Sequence, residues 1–373
     1  MAFLFLAGAL ALAACVPALA QPHYPPTLVN ERNQAPLDSA TKQIVVCIHG
    51  WNRDGSPDAY APGSDWGTLV SSLNWQLSGT DWQLLLYHWE QDANTGFLDF
   101  DPLNGALMQD AIRNATTAAD RADSWHGAHF AEQLNGVAPN LRQVHLIAHS
   151  AGSWLARKAA TRLLELNPFV TVQTTLLDPF IPGSIGWPWT PTTSLGMAAM
   201  NSLASDTHQD RIYRLENYWT EDLGTVGTDN PSFAWRGAID ILGRKVNWDL
   251  ALAYRYEGHS GPLLFYADTI NSSLPGAVVP HELLWAPFQF SDYGWFKSMF
   301  YQAPFLPRIT VQPHGPVAPV SDGTTVTLSV TATSSQSLSY QWFFGGSPSQ
   351  VPSVPVTPLL RLSKPPSLTM SSR

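Results

Sequence analysis

Three side chains of the types used in nucleophilic catalysis occur in chain order: Ser150, an aspartate at 178 or 222, and His259. A serine hydroxyl attacks poorly unless an imidazole takes its proton, and the imidazole needs a carboxylate to fix its tautomer and stabilise its charged form. Around Ser150 the pattern changes period. Val144, Leu146, Ile147 and Ala148 form a short apolar run of the length of a fully buried strand. Beyond the serine, Trp154, Leu155, Ala159, Leu163, Leu164 and Leu166 recur at helical spacing, with Arg157, Lys158, Arg162 and Glu165 between them. The spacing predicts a strand, a sharp turn carrying Ser150, and a helix. A nucleophile on such a strained turn needs small neighbours, and Ala148 and Gly152 stand two residues before and two after it.

The partners must be delivered by other elements. Val170 to Leu177 reads as a strand that ends at Asp178-Pro179, which places an acid where a core strand stops. Asp222 competes from the Trp219-Thr220-Glu221-Asp222 turn after a strand over Ile212 to Tyr218; Asp178 is preferred because Leu177-Asp178-Pro179 follows its strand directly. His259 lies on a glycine-flanked loop, after both acids and before a helix-like Leu263 to Asn271. Among the other histidines, His145 falls in a buried strand, His149 adjoins the serine, and His208 and His281 have less favourable settings. The first core strand, Ile44 to Ile48, is apolar throughout and runs into His49-Gly50-Trp51-Asn52. In an open α/β sheet such strand ends face the ligand crevice. The backbone N–H groups of Trp51 and Ala151 are therefore the candidate donors for an oxyanion. Without Ser150, Gly50 would read as a plain turn glycine.

Other segments complete the frame. Trp66 to Leu77 is helical in spacing, Trp82 to Trp89 strand-like, and Asp92 to Asp110 a Gly- and Asp-rich loop. Ala111 to Leu134 suits a helix weakened in its middle by Gly127. His126 and His129 share one face of it without carboxylate or cysteine partners in the pattern, and read as surface or capping groups rather than ligands. No metal and no cofactor is expected. Pro182 to Thr207 carries Trp187, Trp189 and Met197 among prolines, the composition of a lid or pocket wall, or of a surface loop tucked onto the core. Gly237 to Tyr256 looks strand-like.

Composition bounds the setting. A net charge of −9 and a pI near 5.6 argue against nucleic acid as a partner. Residues 1–20 are almost wholly apolar and end in Ala18-Leu19-Ala20, an export signal cut before Gln21, so the mature protein is expected outside the cytoplasm. Leu12-Ala13-Ala14-Cys15 offers the alternative of a lipid-bearing Cys15 and attachment at the cell surface. With only Cys15 and Cys47 in the chain, a mature protein cut after Ala20 has no intramolecular disulfide to form, and Cys47 reads as a small buried strand residue. The expected organisation is a signal at 1–20, an entry arm lying on the surface at 21–42, a catalytic domain at 43–303, a small module at 304–346 and a disordered tail at 347–373.

His49-Gly50-Trp51, His145 to Gly152 and Leu177-Asp178-Pro179 together resemble the α/β-hydrolase superfamily, and within it lipases of the pancreatic-lipase type. The resemblance covers roughly Ile44 to Leu274. It implies an α/β fold with a mostly parallel central sheet and helices on both faces. It also implies carboxylic ester hydrolysis of a small-molecule or lipid ester, with transient contact at a lipid interface. By that likeness Ser150 is the nucleophile, Asp178 the acid, His259 the base, and Trp51 with Ala151 the oxyanion hole. Ala148 departs from the usual glycine, and the disulfides of animal secreted lipases are missing. The same triad would also serve an amidase or acyltransferase, and an inactive surface adhesion protein is the rival of another class. After Pro304, alternating Ile309 to Val311, Thr325 to Val330 and Leu338 to Trp342 resemble strands of a bacterial immunoglobulin-like module. That fold needs about seven strands in ~100 residues, so an incomplete β-sandwich is expected.

Overall fold

Strands that are apolar on both faces must be covered on both faces, and this chain builds a parallel sheet between two helical layers. The computed structural model describes residues 21–96, 105–182, 193–203, 206–208, 211–219, 245–249, 258–272 and 294–297, together with short strands at 308–311, 326–328, 331–333, 343–344, 347–348 and 360–362. The signal-like segment at 1–20 lies outside these residues.

The chain enters through β1 (Val29–Asn30) and β2 (Ala35–Pro36), an antiparallel pair. The arm is not confined to the surface. Leu28, Asn30 and Leu37 are buried, and the arm bonds to the sheet edge through Glu31 N–H to Leu84 O (2.7 Å) and Leu84 N–H to Asn30 Oδ1 (3.1 Å).

The sheet comprises β3 (Gln43–Ile48), β4 (Gln83–Leu86), β5 (Gln143–His149), β6 (Thr171–Leu177), β7 (Ile212–Trp219) and β8 (Lys245–Asp249). All pairings are parallel, in the order β4-β3-β5-β6-β7-β8. Register brings Ile48 beside Ala148, His149 beside Leu177, and Leu177 beside Tyr218, so the carboxyl ends of the central strands form one edge. Of the strand-like stretch 237–256, residues 245–249 are β8 and the remainder lies outside the described residues.

The helices are α1 (Asp65–Gln76), α2 (Glu90–Ala93), α3 (Gly105–Arg121), α4 (Ala128–Val137), α5 (Gly152–Leu166), α6 (Met197–Asn201) and α7 (Gly261–Ser272). Alternate strand residues serve opposite layers. Ile44, Val46, Ile48, Leu146, Ala148 and Leu176 pack with the α3, α4 and α5 side, where Trp154, Leu155 and Leu163 are fully buried. Val45, Cys47, Ile147, Leu177 and Tyr218 pack with α1 and α7. Burial pushes the Cys47 thiol pKa up, as befits an inert packing residue.

Between α3 and α4 the helix widens into a π-helical turn at Ala122–Gly127. A Cβ on Gly127 would lie 2.5 Å from Lys158 Cβ, so glycine permits the close approach of α5. The turn also carries His126 inward, contrary to the surface or capping role read from the sequence. His126 is fully buried, with Nδ1 3.0 Å from the Tyr87 hydroxyl and Nε2 3.0 Å from Asp92 Oδ2. Asp92 reaches it from α2, inside the segment expected to be loop, and a partner 34 residues away in sequence leaves no local pattern. Both ring nitrogens of a neutral imidazole are thus satisfied: Tyr87 donates to Nδ1, and Nε2–H donates to the carboxylate.

Burial holds His126 neutral, with its pKa lowered to about 4, and desolvation lowers that of His145 in β5 to about 3. In the unfolded chain both titrate near pH 6.5. Their stabilising contribution is complete above that pH and is lost as pH falls towards the folded values. Each is expected to remove on the order of 2 kcal/mol between pH 7 and pH 5. Urea denaturation at the two pH values checks this; a midpoint that does not fall at pH 5 contradicts it.

A second buried polar network crosses β6 and β7. Glu216 accepts from Arg214 Nε (2.6 Å) and from the Thr175 hydroxyl (2.6 Å), and His145 Nε2–H donates to that hydroxyl oxygen (2.8 Å). Removing one member of a buried pair strands the other charge, at a cost of about 3–5 kcal/mol. Glu216→Gln is therefore expected to destabilise the domain by about 3 kcal/mol in urea denaturation, and a change below about 1 kcal/mol would show that the pair is dispensable.

Beyond the sheet, the described strands form two-stranded antiparallel pairs. β9 (Arg308–Val311) pairs with β11 (Thr331–Thr333), β10 (Val326–Leu328) with β14 (Leu360–Leu362), and β12 (Phe343–Phe344) with β13 (Ser347–Pro348). Among the described residues each of these is a separate two-stranded sheet, and the expected sandwich is not shown. Within the stretch read as a disordered tail, residues 347–348 and 360–362 are thus paired strands, and the rest lies outside the described residues, as does Trp342.

Candidate active site

Ser150 ends β5 and opens α5 with a left-handed backbone, φ 54°. That conformation costs a residue with a side chain about 1–3 kcal/mol and persists only where its surroundings hold it. Here Ser150 N–H donates to Leu177 O (3.1 Å), while Ser150 O accepts from Phe180 N–H (3.3 Å) and Ser153 N–H (3.1 Å). The turn is also crowded. A Cβ on Gly152 would lie 2.2 Å from His49 O, and one on Gly50 would lie 2.7 Å from Ser150 Cβ. The two glycines let the β3 and β5 ends meet, which extends the sequence argument for small neighbours from Gly152 to Gly50.

Asp178 leaves β6 in the same left-handed region, φ 48°, with its N–H donating to Tyr218 O at 2.7 Å. Its buried carboxylate lies 2.6 Å, through Oδ2, from His259 Nδ1. A carboxylate only accepts, so Nδ1–H donates and Nε2 keeps its lone pair. Gly258, with φ +85°, turns the chain that presents His259, and α7 follows at once.

His149 has a part that the sequence did not reveal. Its Nε2–H donates to His259 O at 2.7 Å, and the two rings lie 4.4 Å apart between centroids. Only its position beside Ser150 could have singled it out; the contact joins residues 110 apart in sequence.

On the opposite side, α2 supports the β3 turn. Asn52 N–H donates to Ala93 O (3.1 Å), Asn52 Nδ2 to Glu90 O (3.2 Å), and Trp89 Nε1 to His49 O (3.1 Å). The Trp51 indole packs against the α3–α5 side of the core. Among the described residues, neither the Trp51 nor the Ala151 backbone N–H meets an acceptor.

Met197, in α6, is partly buried against the same core, while Leu195, Met200 and Leu203 around it are buried and Arg157 Nη1 donates to Ser202 Oγ (3.0 Å). Trp187, Trp189 and Asp222 lie outside the described residues. Geometry thus brings Ser150, Asp178, His259, Trp51 and Ala151 to one edge of the sheet, or to loops anchored there.

No protein-family model matches the chain, and no curated protein matches it. Solved structures similar to it include an esterase of Pyrococcus furiosus, at 10% identity and TM-score 0.31, covering 61% of this chain and 82% of that one. Lipase B of Aspergillus fumigatus is 14% identical with TM-score 0.36, covering 65% of this chain and 58% of the lipase. A lipase-esterase related protein of Clostridium acetobutylicum is 12% identical with TM-score 0.30, covering 66% and 94% of the two chains.

Proposed function

We propose that the protein is an exported α/β-hydrolase that cleaves carboxylic esters through an acyl-enzyme on Ser150. The observation that carries this reading is the 2.6 Å contact between Asp178 Oδ2 and His259 Nδ1, made beside a serine held in left-handed backbone. The contact leaves His259 Nε2 as the base. As Ser150 Oγ bonds to the ester carbonyl carbon, its proton passes to Nε2, and negative charge collects on the carbonyl oxygen. Trp51 and Ala151 N–H donate to that oxygen. The carbon–oxygen bond to the alcohol then breaks, and His259 returns the proton to the leaving oxygen. Water, deprotonated by the same nitrogen, attacks the acyl carbon; the bond to Ser150 Oγ breaks, His259 returns the proton to that oxygen, and the acid leaves.

The substrate is a small-molecule or lipid ester met outside the cytoplasm. The segment with Trp187, Trp189 and Met197 would border the acyl pocket and meet a lipid surface. Export would end in cleavage after Ala20, or in lipidation at Cys15.

The test is labelling by a fluorophosphonate together with hydrolysis of nitrophenyl esters of increasing chain length. Labelling at Ser150 with ester turnover supports the reading. A chain that neither labels nor turns over any ester of the series refutes it, and faster turnover of the matched amides would redirect it to amide hydrolysis.

A further inference from the structure

Outside the candidate active site, a group of metal-ligand side chains collects beyond the end of β4. Asp58, His88 and Glu90 each place one ligand atom within 4.8 Å of the others. Glu90 is buried, whereas Asp58 and His88 are exposed, so the group opens to solvent. His88 Nδ1 lies 2.8 Å from Glu90 Oε1.

His49 supplies the independent observation. It is 2% exposed, and its ring lies between Tyr60 and Trp89, at 5.5 and 5.3 Å between centroids. Its Nδ1 is 2.8 Å from Gly50 O. A carbonyl only accepts, so Nδ1–H is the donor. The other ring nitrogen, Nε2, has no hydrogen-bond partner and faces Glu90 Oε1 at 3.8 Å. A buried imidazole nitrogen and a carboxylate oxygen therefore face each other beyond hydrogen-bond length. The backbone hydrogen bond on the far nitrogen is also the arrangement that orients a histidine towards a metal.

We propose that Asp58, His88 and Glu90 form a divalent-cation site of zinc type, with the buried, unpartnered Nε2 of His49 facing Glu90 from inside. Two carboxylates with imidazole nitrogen suit Zn²⁺, whereas Ca²⁺ and Mg²⁺ prefer sets made wholly of oxygen. The ligands come from the loop after Trp51, the segment just beyond β4 and the start of α2, so the ion would bind together the segments that support the β3 turn. No local pattern points to it, because Asp58 stands 30 residues from the His88-Trp89-Glu90 stretch and the set matches no ligand-spacing motif.

The test uses the full chain without an affinity tag, stripped with a chelator and dialysed against ZnCl₂, with thermal denaturation alongside. One zinc per chain and a raised melting midpoint are expected. Asp58→Ala and His88→Ala alter exposed side chains and should each weaken binding at least about tenfold and cancel the thermal gain. No retained zinc, parental affinity in the Asp58→Ala/His88→Ala double variant, or preference for CaCl₂ over ZnCl₂ overturns the assignment. Binding is read without substrate, so it stands or falls independently of ester hydrolysis.

Discussion

Ser150→Ala is expected to lower kcat for ester hydrolysis by at least about 10⁴-fold and to abolish fluorophosphonate labelling, because no second hydroxyl replaces the atom that forms the acyl bond. The change removes one oxygen and leaves the backbone with the same bonds to Leu177 and Phe180. The urea midpoint should therefore move by less than about 1 kcal/mol equivalent. Burst kinetics on a nitrophenyl ester, with the denaturation curve alongside, separate lost chemistry from lost fold. Parental turnover in a folded Ser150→Ala variant would end the acyl-enzyme reading.

The second large effect belongs to the acid. Asp178→Asn keeps the shape of a buried side chain but removes the charge that stabilises the His259 imidazolium, and an amide can donate as well as accept at Nδ1, which permits the wrong tautomer. A loss of about 10⁴-fold in kcat is expected, with KM nearly unchanged. Asp222→Asn should retain at least about half of the parental rate, a change too small to register as lost transition-state binding. The reverse ranking, with Asp222→Asn inactive and Asp178→Asn active, would transfer the acid to the end of β7.

Much of this site is written locally in the chain. The change of period at Ser150, the apolar run ending at His49-Gly50-Trp51 and the strand ending at Asp178 each arise from neighbouring residues, and the β3, β5 and β6 ends fall where those patterns stop. α1 and α7 follow in the same way from helical spacing. What could not be read is side-chain pairing across distance. His126 looked like a surface group because its partner Asp92 belongs to another helix. His149 looked like a rival base, yet its Nε2 binds the carbonyl of His259. The entry arm read as lying on the surface since its buried anchors are single residues, Leu28, Asn30 and Leu37, without a period.

The bonds around Ser150 also set an order of failure. Its N–H and carbonyl are tied to Leu177 and Phe180, the residues on either side of Asp178 and Pro179, so the spacing of serine and acid is carried by peptide groups at the end of the sheet. His259 stands outside that framework, on a loop held by the Asp178 carboxylate, the His149 ring and the start of α7. On heating, the domain should lose its base before it separates nucleophile from acid. Inactivation would then precede melting of the sheet, and cooling would restore activity for as long as the sheet stayed intact.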